Sequence, residues 1–113
     1  MPFTAPTRTG SWLSLTDLAG GKNVIRVARG FLEDDPNNKF KGQDSPRYII
    51  HGTVDGEETM VGSLKGGSRD AFLEDAAAYL DKAPAGSYID IGAEPVEGSR
   101  YIVLTVVDSV DAE

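Results

Sequence analysis

The run Lys39-Phe40-Lys41 sets an aromatic ring between two cations. Such a set suits a ligand that is both flat and anionic, because a base can stack on the ring while the ammonium groups meet phosphates. Arg26, Arg29, Arg47 and His51 lie in stretches of alternating polarity nearby in sequence. Together with Lys39, Phe40 and Lys41 they form the candidate nucleic-acid-binding set. The competing expectation for Phe40 is that its ring folds back onto the core and the lysines solvate a loop. His51 is the only histidine, so it cannot pair with a second one to hold a metal. A lone histidine on a strand is more often a packing or surface residue than a catalyst.

Catalytic patterns fail on inspection. Gly62-Ser63-Leu64-Lys65-Gly66-Gly67-Ser68 has the look of a phosphate loop, but no lysine follows its last glycine. Gly66-Gly67-Ser68-Arg69-Asp70 lacks the closing glycine of a nucleophile elbow. The pairs Asp34-Asp35, Glu57-Glu58 and Glu74-Asp75 sit among 18 acidic residues and read as solvated carboxylates. Asp35-Pro36-Asn37 lacks the glycine and terminal glutamate of a calcium loop. With no cysteine there is no disulfide and no thiolate chemistry. No nucleophile, base and orienting group can be named together, so no enzymatic activity, metal or cofactor is expected.

The elements that would position these residues follow from periodicity. Alternating runs predict strands over Asn23–Phe31, Arg47–Val54, Glu58–Leu64, Tyr88–Ala93 and Arg100–Asp108. A helix is predicted over Arg69–Lys82, with Ser68 as its cap and the stripe Leu73, Ala76, Ala77, Leu80 facing inward. Val54-Asp55-Gly56-Glu57 marks a hairpin, because Asp-Gly supports a type I′ turn. Arg47, Ile49, His51 and Thr53 share one face of the second strand; with Tyr48 and Ile50 on the core, Arg47 and His51 point outward. The expected interior is Ile25, Val27, Ile50, Leu73, Ala77, Leu80, Ile89, Leu104 and Val106. Leu32–Pro46 reads as one long polar loop, mobile without ligand. Thr16 could cap a single helical turn over Thr16–Ala19 ended by Gly20-Gly21. That segment would cover one end of the fold, with Trp12 as its anchor.

Five antiparallel strands with one helix between the third and the fourth is the order of an oligonucleotide/oligosaccharide-binding barrel, a mainly all-β class. The 113 residues suit one domain, with 1–10 a flexible lead-in, 11–108 the barrel and 109–113 a short acidic tail. No stretch approaches the ~20 apolar residues that span a bilayer, and the start lacks a signal-peptide pattern, so no membrane contact and a cytoplasmic site are expected. Net charge is −7, divided as +2 over residues 1–52 and −9 over residues 53–113. Such a chain is a poor non-specific duplex binder, since phosphate neutralisation drives that affinity. A locally basic groove can still hold a single strand.

The run Trp12-Leu13-Ser14-Leu15-Thr16-Asp17-Leu18-Ala19-Gly20, the β run after it and the strand order resemble small barrel proteins of actinobacterial phages described as single-stranded-DNA-binding-like. The resemblance implies a strand-binding face on the second and third strands, flanked by the loops after the first and fourth. It also implies single-stranded DNA as partner, a role in phage replication or recombination in the host cytoplasm, and homo-oligomers formed through sheet edges. The acidic second half of the chain favours a different expectation, a protein partner bound by the same barrel in phage assembly or host inhibition.

Overall fold

The computed structural model describes residues 10–20, 23–99 and 101–112, and within them the chain is mainly β. Strand β1 (Ser11–Leu13) leads into helix α1 (Leu15–Gly20), followed by β2 (Val24–Ala28) and β3 (Leu32–Asp35). The short strands β4 (Lys39–Phe40) and β5 (Gln43–Asp44) precede the long pair β6 (Arg47–Val54) and β7 (Glu57–Leu64). Helix α2 (Ser68–Lys82) separates these from β8 (Tyr88–Pro95) and β9 (Ile102–Val110). No helix among the described residues is long and apolar enough to cross a membrane.

One sheet runs in the order β1-β7-β6-β2-β8-β9, with β3 also paired to β6. Asp55 and Gly56 join β6 to β7 with φ of +52° and +83°, the two left-handed positions that a type I′ hairpin requires. The first predicted strand stops earlier than expected, as β2 at Ala28, and after a bend the chain continues as a second arm, β3. The Phe31 N–H donates to the Ala28 carbonyl at 3.1 Å across Arg29-Gly30, and Gly30 takes φ of +81°. Arg26 pairs with Thr53 on one side of the bend and Leu32 with Ile50 on the other, so β6 serves both arms.

Several expectations need correction. Leu32–Pro46 is not one structureless loop: it holds β3 and the β4–β5 hairpin. An acidic run such as Glu33-Asp34-Asp35 has poor strand propensity, yet it pairs along β6 because Leu32 packs on the core and the carboxylates find partners there. Ser11–Leu13 is a strand, paired parallel to β7, so the sheet is not purely antiparallel. The short helix is capped by Ser14 rather than Thr16: the Asp17 N–H donates to Ser14 Oγ at 3.0 Å and the Ser14 N–H to Asp17 Oδ2 at 3.2 Å. The last strand extends through Val110, so the expected tail begins inside it. Arg100, Gly21 and most of the expected lead-in lie outside the described residues.

The sheet curls around one core in which Ile25, Val27, Phe31, Ile50, Val61, Ile89, Ile91 and Leu104 meet Leu18 of α1 and Leu73, Ala76 and Leu80 of α2. Ala77 is only partly buried; Ala76 takes the deeper position. Val106 is 54% exposed, because β9 ends the sheet and has a strand neighbour on one side only. The ladder does not close. Between β7 and β9 stands the Arg69 guanidinium, whose Nε donates to Ser63 Oγ at 3.0 Å and whose Nη1 donates to the Ile102 carbonyl at 2.8 Å. A side chain thus joins the two strands where a backbone ladder would have sealed a barrel. Leu73→Ala is expected to cost about 2–5 kcal/mol in denaturant unfolding, since a fully buried side chain leaves a cavity. Val106→Thr should stay within about 0.5 kcal/mol of the parent. Equal midpoints for the two variants would show that α2 packs through another face.

Candidate functional site

The outer face of β1, β7 and β6 carries a groove of about 550 Å³. Its walls include Trp12 from β1, Phe40 from the β4–β5 hairpin, Leu64 and Arg47, and Gly62 lies on its floor. Strand alternation explains the placement. Trp12 pairs with Met60 and Leu13 with Val61, so Leu13 joins the core while the indole faces outward. Gly62 opposes Ile49, and a Cβ there would sit 3.4 Å from Arg47 Nη1, so the missing side chain leaves space that the guanidinium partly fills. Phe40 is 64% exposed and Trp12 48% exposed, large apolar rings left in water at one groove.

The β2–β6 divergence opens a second cleft of about 520 Å³, lined by Arg26, Arg29, His51, Glu58 and Tyr88 among others. The seven candidate residues therefore divide. Arg26, Arg29 and His51 border this cleft, Phe40 and Arg47 the aromatic groove, and Lys39 and Lys41 line neither.

Most of the candidate cations already hold partners. Arg26 makes a bidentate pair with Asp90, at 2.8 and 3.1 Å, and its guanidinium lies 3.8 Å over the Tyr88 ring. The hydrogen bond to Asp90 holds the Arg26 pKa above its ordinary value. Arg29 donates to the Leu80 carbonyl at 3.3 Å and to that of Ala83, so it caps the C-terminus of α2, where a cation suits the helix dipole. Arg47 pairs with Asp35 at 2.9 Å and lies 5.1 Å over the Trp12 ring. His51 Nε2 is 2.8 Å from Glu33 Oε1, with both side chains largely buried. Lys39 pairs with Asp44 across the small hairpin. Lys41 occupies the hairpin turn at φ of +51° and sits 5.3 Å from the centre of the Phe40 ring. A carboxylate beside a cation lowers what that cation offers to a phosphate.

Trp12 is the residue that sequence reasoning undervalued. Its segment is a strand, not only an anchor, and strand alternation turns the indole outward. The pattern Trp12 out, Leu13 in was legible only once Ser11–Leu13 was read as β. Arg69 and Gly62 were missed as groove residues because their neighbours come from distant parts of the chain. On the core side of β6, the Tyr48 hydroxyl donates to Glu74 Oε2 at 2.8 Å, and Lys65 lies 4.6 Å over the ring. The Glu74 hydrogen bond, followed by burial, pushes the Tyr48 pKa up to about 12.

No protein-family model, no curated protein and no solved structure matches this chain.

The Tyr48 pair gives the fold an alkaline limit. Folding favours the protonated phenol, so its contribution is intact below pH 10 and is lost as pH rises through about 12. Alkaline unfolding of Tyr48→Phe should lack that share of the decline. Glu74→Gln, which keeps an acceptor without the charge, should bring the phenol back toward its ordinary range in a 295 nm titration. An unchanged Tyr48 titration in Glu74→Gln would remove Glu74 as the cause.

Proposed function

We propose that this protein is a non-catalytic single-stranded-DNA-binding module of the oligonucleotide/oligosaccharide-binding type, with the Trp12–Phe40 groove as its binding face. The observation that carries the reading is the presence of two exposed rings, Trp12 and Phe40, on one groove of the outer sheet face. Stacking on aromatic rings is worth ~1–3 kcal/mol per base and tolerates any sequence. The strand order supports the same reading: β7-β6-β2-β8-β9, with α2 between β7 and β8, is the order a five-strand barrel would have if laid open between β7 and β9. Barrels of this type are partly open, and they bind on the face of their second and third strands. Here β6 and β7 take that place. The phage resemblance extends the reading to replication or recombination.

Charge contributes less than the sequence suggested. With Arg26, Arg47 and Lys39 in ion pairs, His51 hydrogen-bonded to Glu33 and Arg29 on a helix end, Lys41 is the candidate cation best able to meet a phosphate. Binding therefore rests on stacking and shows a shallow salt dependence. The same pairing of cations favours the second reading, in which the groove takes a protein segment.

Trp12 is the only tryptophan, so intrinsic fluorescence reports the groove directly. Titration with oligo-dT should quench it. Phe40→Ala and Trp12→Ala should each lose ~1–3 kcal/mol of affinity, the latter followed by anisotropy of a labelled strand. Lys41→Ala should flatten the plot of log affinity against log salt by roughly 0.7, and Lys39→Ala should leave it unchanged. Absence of quenching and of anisotropy change up to about 10⁻⁴ M, the weak end of non-specific strand binding, would overturn the nucleic-acid reading and leave the protein partner.

A further inference from the structure

Strand β9 divides into two unlike halves. Its first half is tied inward: Leu104 is buried, and the Ile102 carbonyl accepts from Arg69. Its second half, Val106 to Val110, is exposed at every residue, with Val106 at 54% and Val107 at 60%. Among the described residues β9 pairs with β8 alone, so the second half presents an open edge. An open edge with apolar side chains is a template for another strand. A register shift at Asp90/Ile91 marks the boundary between the halves.

The charge around this edge selects the occupant. Asp90 and Asp108 stand opposite each other in the β8–β9 ladder, an arrangement that costs energy unless answered. Arg26 answers Asp90 with both of its hydrogen bonds. Asp108 is exposed; its carboxylate accepts the adjacent Ser109 N–H at 2.9 Å and feels Arg26 through space. From Ser68 to Glu113, the stretch that carries α2, β8 and β9, the sequence counts ten acidic against three basic side chains. A second copy of the chain would bring another net −7 and another Asp108 to the same edge. An extended segment with lysine or arginine between small apolar residues meets the opposite situation: its cations find Asp108 while its apolar side chains cover Val106, Val107 and Val110.

We propose that the exposed half of β9 is a docking edge for an extended, basic segment of a partner protein, added to the sheet as a further strand beside Val106–Val110. This site lies apart from the aromatic groove and does not depend on nucleic-acid binding. A labelled synthetic peptide in which lysine alternates with valine serves as the probe on the full chain. It should bind with an affinity that falls with salt, and its addition should slow amide exchange over Val106–Val110 more than over α2. Asp108→Lys should weaken binding roughly five- to tenfold, the difference between an exposed attractive pair and a repulsive one. Its melting temperature should not fall, because the side chain is exposed and the change removes the like-charge opposition to Asp90. A peptide of equal charge with proline replacing its central valine should fail to bind, since proline cannot donate to a ladder. Equal binding of the proline peptide, or protection centred on α2, would overturn the proposal. So would dimerisation of the chain alone that Val107→Lys abolishes, because a second copy would then own the edge.

Discussion

The bend between β2 and β3 is the constraint on which the rest of the architecture depends. One strand, β6, must pair with both arms, and it can do so only if the arms turn around Arg29-Gly30. The His51 N–H donates to the Phe31 carbonyl at 2.9 Å and locks the corner to β6. Gly52 allows the close crossing beside it: a Cβ there would lie 2.5 Å from the Arg26 carbonyl oxygen and 2.7 Å from Ile25 Cγ1. Three consequences follow from this one corner. It sends Phe31 into the core, it aims Arg29 at the end of α2, and it lays Glu33 and Asp35 beside His51 and Arg47. It also sets where the β4–β5 hairpin emerges, and so brings Phe40 to the groove that Trp12 lines.

The polar pairs around that corner contribute less to stability than the core does. Partly buried pairs such as Arg47–Asp35 lose to desolvation much of what they gain in Coulomb attraction, whereas each large buried aliphatic side chain contributes about 1.5–3 kcal/mol. In the proposed strand binding, their effect is on recognition. A guanidinium held by Asp35 against an indole is a rigid wall rather than a free charge, and a lysine paired with Asp44 has less to offer a phosphate. The outer face is thereby shifted from an electrostatic surface toward a stacking surface. An overall charge of −7 is compatible with strand binding only on those terms.

Arg69 has a comparable role at the opposite side of the sheet. By bonding to Ser63 and to the Ile102 carbonyl it holds β7 and β9 near each other without a ladder. Ser63 is fully buried, so its hydroxyl needs a partner there, and the guanidinium supplies one. The sheet remains open, and the two strand edges are treated differently. The β7 edge is covered by β1 and Arg69, while the far half of β9 is left in water.

Local chemistry was enough to read much of this protein from its sequence. Period-two alternation within Asn23–Phe31, Arg47–Val54 and Tyr88–Ala93, the Asp55-Gly56 turn and most of the Leu73, Ala76, Ala77, Leu80 stripe depend on near neighbours, so they were legible. The outward direction of Arg47 followed from the same logic, whereas the sequence left open whether Phe40 faces water or the core. Tertiary structure alone decided which carboxylate each cation meets, because Arg26 and Asp90 are 64 positions apart and only the β2–β8 register brings them together. It also decided that Glu33-Asp34-Asp35 is a strand, against its own propensity, since β6 offers the ladder and the counter-charges. The same holds for Trp12: three residues cannot show a period, and only pairing with β7 turns its indole toward the groove. Patterns written within a few residues could be read directly, while those written between distant segments required the folded chain.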